Sequence, residues 1–196
     1  MSPIQLNPGA CTAFLLAAFT LAGFFQTAWL AMPVSQRFAM PVDGGLKFRG
    51  RRLFGDNKMV RGFLVMAPAT GMSFALLAVL LSNSPVGLTG LWPLSPGSYA
   101  LLGLWAGAGF IAGELPNSFI KRQLGIAPGA AAQGGIARPF FFIVDRLDSI
   151  IGMLLALSLV AAVPARVWIY MMLVGPAVHW CFSVALFQLG VKARAA

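Results

Sequence analysis

Residues 62–113 contain no charged side chain. A soluble domain carries about 25% Asp, Glu, Lys and Arg, so a charge-free run of this length does not suit a water-exposed fold. It is also long enough for two membrane crossings, each helix needing ~20 apolar residues. Residues 82–97, SNSPVGLTGLWPLSPG, are rich in Pro, Gly and Ser and read as the turn between them. The run therefore divides into spans at about 63–81 and 98–115, the latter closed by Glu114 and Pro116. Of the 196 residues 59% are hydrophobic and only 10% charged, which extends the membrane reading to the whole chain.

Residues 1–36 are also uncharged, and 12–32 form a first span ended by Pro33. This stretch lacks the basic start of a signal peptide and runs past signal-peptide length, so a retained helix is expected. A fourth span is expected at 140–163, before Pro164 and Arg166, and a fifth at 167–191, before Lys192 and Arg194. The expected fold is an all-α integral membrane protein with about five transmembrane helices, residues 1–196 forming one polytopic domain with cytoplasmic polar loops. Cys11 and Cys181 lie far apart and form no redox or metal motif.

Net charge is +9, but in a membrane protein the basic residues report topology first. Seven of them lie between Arg37 and Arg61, and none lies in residues 82–97. The N-terminus is therefore expected outside the cell membrane, with the C-terminus and the polar chemistry on the cytoplasmic side. No nucleic-acid partner is implied. The odd span count fits poorly with the paired repeats of many transporters. His179, beside Trp180, reads as an interhelical hydrogen-bonding residue rather than a ligand.

Within the fourth span, residues 140–152 read FFFIVDRLDSIIG. An ionisable residue at membrane depth is costly and usually faces a partner or a water-filled cavity. Asp145 and Asp148 stand at i and i+3, on one helical face. Such a carboxylate pair suits a divalent metal, while a simple ion pair with Arg146 is the plainer alternative. The first cytoplasmic loop, residues 43–62, reads DGGLKFRGRRLFGDNKMVRG. Its basic side chains supply the donors a phosphate needs, and its glycines let backbone approach a ligand closely. A topology signal that also attracts anionic lipid is the alternative; the interruption of the basic run by glycines, Asp56 and Asn57 favours a phosphate cradle. Residues 113–129, GELPNSFIKRQLGIAPG, add Glu114, the neutral Asn117 and Ser118, and a second basic pair, Lys121 and Arg122.

In order, GDNK-x-x-RG, GE-x-x-NSF-x-KR-x-LG-x-x-PG and VDRLD-x-x-x-G resemble the archaeal CDP-archaeol synthase family. That family is related to the CTP:phosphatidate cytidylyltransferases. The resemblance covers about residues 33–152. Met59 stands where threonine is expected, Glu114 where aspartate is common, and Phe140 to Phe142 replace the His-Gly-Gly of the phosphatidate branch. The resemblance implies transfer of CMP from CTP to a membrane lipid phosphate, giving CDP-lipid and pyrophosphate in phospholipid biosynthesis.

It further implies a Mg2+ cofactor held by Asp145 and Asp148, with Glu114 or Asp56 assisting. Lys121 and Arg122 join the two aspartates as catalytic residues by gripping a phosphate. Arg49, Arg51, Arg52, Asp56, Asn57, Lys58, Arg61, Asn117, Ser118 and Arg146 would form the nucleotide and phosphate set. CTP, the lipid phosphate and the bilayer are the expected partners. The nearest rival is a CDP-alcohol phosphotransferase, for which the chain has Asp43-Gly44 but not the Ala-Arg that should follow. A non-catalytic anionic-lipid binder or a transporter would explain the basic face but not the aspartate pair.

Overall fold

A computed structural model describes residues 5–85 and 87–190. Five long helices account for most of it: α1 (Pro8–Ala31), α2 (Val60–Ser82), α3 (Pro96–Gln123), α4 (Ala137–Val160) and α5 (Ala165–Gln188). A short 3-10 helix, Pro33–Phe38, and a hairpin of β1 (Lys47–Phe48) and β2 (Arg51–Arg52) lie between α1 and α2. The expected end of the last span at Val191, and Lys192 and Arg194, fall outside the described residues.

Local chemistry sets the helix starts. Asn7 caps α1 by accepting from the Ala10 N–H at 3.1 Å, and Ser95 caps α3 by accepting from that of Ser98 at 3.2 Å; each is followed by proline in the first turn. Residues 83–85 and 87–95 lie between α2 and α3, where a turn is expected. The helix α3 differs from the sequence expectation: it runs through Pro116 to Gln123 rather than ending near residue 115. One proline removes one backbone hydrogen bond. Basic residues Lys121 and Arg122 suit the helix C-terminus, and the packing of α3 against α4 holds the last turns in line. The polar segment after Glu114 is thus helical.

The helix α3 is central, packed most extensively on α2 and α4. Small residues permit this. A methyl group on Gly103 would meet the Thr70 carbonyl oxygen at 2.7 Å, and one on Gly107 the Met66 carbonyl at 2.9 Å. At one end of the bundle Phe14 packs edge-on against Phe74, with ring centres 5.1 Å apart, and beside Tyr99 at 5.2 Å. The Tyr99 hydroxyl donates to the Trp92 carbonyl at 2.7 Å, and the Trp92 indole donates to the Ala162 carbonyl at 2.8 Å, tying the α2–α3 connection to the end of α4.

Among the described residues four helices, α1, α2, α3 and α5, are long and apolar enough to cross a membrane. The helix α4 is as long as α1, at 24 residues, but carries Arg138, Asp145, Arg146 and Asp148. Large apolar side chains such as Leu101, Leu159 and Leu173 turn outward, as hydrocarbon solvent rewards.

Candidate active site

The helices α3 and α4 cross with almost no side-chain material between them. A Cβ on Gly113 would lie 2.5 Å from the Asp148 carbonyl oxygen, and one on Gly152 would collide with that of Gly109. Nothing larger than hydrogen fits there. This contact brings one turn of α3, with Glu114, Asn117, Ser118 and Lys121, directly against the turn of α4 that bears Asp145 and Asp148.

The two carboxylates converge on one point. The Asn117 Nδ2 donates to Asp145 Oδ1 at 2.6 Å and to Asp148 Oδ2 at 2.8 Å. Lys121 Nζ pairs with Asp145. Glu114 accepts from Lys58 and, at 2.9 Å, from the Ser149 hydroxyl, which also lies 3.3 Å from Asp148 Oδ1. Burial pushes the Lys58 ammonium down, but the Glu114 charge and hydrogen bond outweigh this and hold it protonated. Arg122 is only 7% exposed, and its Nε and NH1 have no hydrogen-bond partner. A buried guanidinium with unused donors is costly unless an anion completes it.

All of these groups except Ser149 line a cavity of about 690 Å³. Lys58, Arg61, Lys121, Arg122, Arg138 and Arg146 face it, against Glu114, Asp145 and Asp148, with Asn57, Asn117 and Ser118 among them. This part of the lining carries a positive excess. Apolar side chains line much of the rest, with a few polar ones: Leu16 and Phe19 beside Gln26 on α1, Met153 on α4, and Met171 and Leu186 beside His179 on α5. Residues 128–132 also border it. Arg146 is held at the cavity edge, donating to the Phe142 carbonyl at 2.6 Å with its guanidinium 3.4 Å from the Phe142 ring centre.

Four residues of the expected phosphate set stand elsewhere. Arg49, Arg51, Arg52 and Asp56 do not line the cavity. Asp43, 4% exposed, accepts from Arg52 and from the N–H groups of Gly45, Phe54 and Gly55. Arg52 also reaches Asp56 at 2.8 Å, and Arg51 donates to the Gln123 carbonyl at the end of α3. Burial alone would push the Asp43 carboxyl up, but the Arg52 hydrogen bond and the three backbone donors hold it well below the usual carboxylate range. This hub folds the loop and aims Asn57, Lys58 and Arg61 at the cavity. It also gives the Asp43-Gly44 pair, half of a phosphotransferase-like motif, a structural role instead. Sequence reasoning missed Asp43 as an organiser, Ser149 as a link between Glu114 and Asp148, and Arg138 as a sixth cation. Of these, Asp43 heads the loop motif and Ser149 sits inside the VDRLD-x-x-x-G motif, so both were within reach of the sequence.

The fit to a divalent cation rests on Asn117. Among the described residues no three His, Cys, Asp or Glu side chains form a metal cluster. Asn117 Oδ1, however, is buried with no partner, while its nitrogen fills the point shared by both aspartates. An amide presents either edge by turning about its last bond, and hydrogen bonding decides which. Turned over, Asn117 would add an oxygen to the two carboxylates, a hard-donor set suited to Mg2+. The residues fit the ion.

A family model described as CarS-like, CDP-archaeol synthase, matches residues 14–195. The chain belongs to the CDP-archaeol synthase family. Relatives named CDP-archaeol synthase include proteins of Thermofilum pendens, 34% identical over 78% of this chain and 64% of that protein, and Thermococcus gammatolerans, 30% identical over 89% and 91%. The Halobacterium salinarum protein is 34% identical over 78% of this chain and 81% of its own. The chain thus spans somewhat under two thirds of the Thermofilum pendens relative and most of the other two. A solved structure described as an intramembrane enzyme for archaeal membrane lipids biosynthesis shares the fold. It covers 85% of this chain and 91% of its own, at TM-score 0.57 and 24% identity. The protein is a multi-pass membrane protein.

Proposed function

We propose that this member of the CDP-archaeol synthase family transfers CMP from CTP to a membrane lipid phosphate, releasing pyrophosphate, with an archaeol-type lipid phosphate as acceptor. One observation carries the reading: a single cavity combines a cation-rich lining, with Arg122 buried and two of its donor atoms unused, and apolar walls between membrane helices. A lipid phosphate has that same division.

In the proposed reaction a lipid phosphate oxygen attacks the α-phosphorus of CTP, and the bond to the β-phosphate oxygen breaks. Both reactants are anions, so positioning and charge neutralisation dominate. Arg122 and Lys121 would hold one phosphate group, with Arg122 supplying a fork of donors and Lys121 a point charge. Lys58, Arg61 and Asn57 would hold the polyphosphate, and Arg138 and Arg146 stand at the cavity edge for the entering anion. Asp145, Asp148 and the Asn117 oxygen would hold Mg2+, which supplies charge neutralisation to phosphate oxygens when bound. Glu114 would keep Lys58 in place. The lipid chains would lie along α1 and α5.

The test is incubation of purified protein with labelled CTP, Mg2+ and a panel of ether- and ester-linked lipid phosphates. Labelled CDP-lipid from the ether-linked phosphate is expected; no product from any lipid would refute the reading. We also propose five crossings, α4 included, with the N-terminus outside and the cavity cytoplasmic. In a background lacking Cys11 and Cys181, a cysteine at Ser84 should react with an impermeant thiol reagent on intact cells and one at Gly45 should not. The opposite pattern would reverse the orientation.

A further inference from the structure

Four basic residues that do not line the cavity, Lys47, Arg49, Arg51 and Arg52, are gathered on the β1–β2 hairpin, beside apolar side chains that stay exposed. Leu46 is 65% exposed and Phe48 46% exposed, and Lys47 and Arg49 flank them in the open. Phe48 pairs with Arg51 and Lys47 with Arg52 across the ladder, so Phe48 and Lys47 point to opposite faces. The turn is tight, with Arg49 at φ 51° and Gly50 at φ 78°, and the Arg49 guanidinium sits 5.3 Å from the Phe48 ring centre. The hairpin does not hang free. Asp43 holds its base through Arg52, Arg51 reaches the last turn of α3, and the Phe48 ring lies 5.9 Å from that of Phe119.

Depth follows from α3. Its 28 residues span about 42 Å at ~1.5 Å per residue, against a hydrocarbon core of ~30 Å. The charge-free part, up to Gly113, nearly fills that core. The turns bearing Phe119 and Gln123 therefore emerge in the headgroup layer, and the hairpin packed on them lies at the same depth. In water, exposed Leu46 and Phe48 would be a liability. At the interface, aromatic and aliphatic groups meet the acyl boundary while lysine and arginine meet phosphates.

We infer that the hairpin is a docking surface for the anionic phospholipid headgroups of the surrounding bilayer, distinct from the catalytic cavity. It needs no part of the proposed reaction. Its chemistry is that of a bilayer phosphate rather than of the nucleotide: open, two-faced, and apolar beside the charge.

The test uses the full chain in nanodiscs of phosphatidylcholine alone or mixed with phosphatidylglycerol. An environment-sensitive fluorophore is attached to Leu46→Cys in a background lacking Cys11 and Cys181. The expected result is blue-shifted emission and protection from iodide quenching in the anionic discs, with Lys47→Glu cancelling the difference. Identical emission and quenching in both discs would overturn the inference, as would equal burial in both that ignores Lys47→Glu. Trypsin cleavage of the unmodified protein after Lys47 and Arg49 gives a label-free check should the labelled variant fold poorly. It should slow several-fold in anionic discs relative to a peptide of residues 43–58, and an equal rate overturns the proposal. Neither readout involves CTP turnover, so the outcome is independent of the cytidylyl-transfer assay.

Discussion

The hairpin loop and the α3–α4 crossing are equally rich in arginine and lysine, yet they use them in opposite ways. In the loop, Arg51 and Arg52 have partners supplied by the chain itself: the Gln123 carbonyl, Asp43 and Asp56. At the crossing, Arg122 is more buried than either and has two donor atoms with no partner. A satisfied cation reports on folding, whereas a buried one left unsatisfied reports on a ligand. Counting charges would treat the two regions alike.

The sharpest way to break this comparison is to remove charge from the convergence point itself. Asp145→Asn or Asp148→Asn should lower cytidylyl transfer by about a hundredfold or more, since an amide cannot supply the charge that holds the cation. Membrane insertion and melting temperature should change little. Near-wild-type turnover in either variant would take the aspartates out of the reaction.

Arg122 comes next. Replacement by lysine keeps the charge and loses the fork, so kcat/KM for CTP or for the lipid phosphate should fall about ten- to a hundredfold. Arg122→Met should lose more activity and yet melt no lower than wild type, because it deletes an unpaired buried charge. A marked drop in melting temperature would show that Arg122 is structural, like Arg52.

The converse is expected of Arg52→Gln. It should lower the melting temperature by several degrees, and the fraction that remains folded should keep its KM for CTP. A raised KM with unchanged stability would put Arg52 back among the phosphate ligands that its sequence position suggests.

The smallest effect concerns pH. The Asp43 carboxyl is held below its ordinary range in the folded protein. Its contribution to stability is therefore complete above the unfolded-state pKa of about 4 and is lost as pH falls towards the lower folded value. Asp43→Asn should melt lower at neutral pH and lose less melting temperature on acidification below about pH 4. Parallel acid profiles for the two proteins would mean that the hub does not anchor the loop.

How much of this is legible in the sequence differs along the chain for physical reasons. Asp145 and Asp148, or Asn117 and Lys121, sit at helical spacings, and a periodic element converts spacing in sequence into a shared face in space. The hairpin arginines cannot be sorted this way, because Arg52 meets Asp43 and Arg51 meets Gln123 through turns and tertiary contacts with no periodicity. Pro116 reads as a stop because proline opposes helix locally, while the α4 surface that overrides it is distant in sequence. Arg138 lies outside every motif, and only the start of α4 brings it to the cavity.

The glycine contact between α3 and α4 works as a fixed gear. One residue of slippage along either helix would turn its face by about 100° and carry Asn117 away from both aspartates. With Gly113 and Gly152 backbone to backbone, the two helices mesh at a depth that any side chain would forbid. A single methyl group added there, touching no ligand itself, would disengage the teeth. Such variants would be found by their lost chemistry and misread as defects in ligand contact.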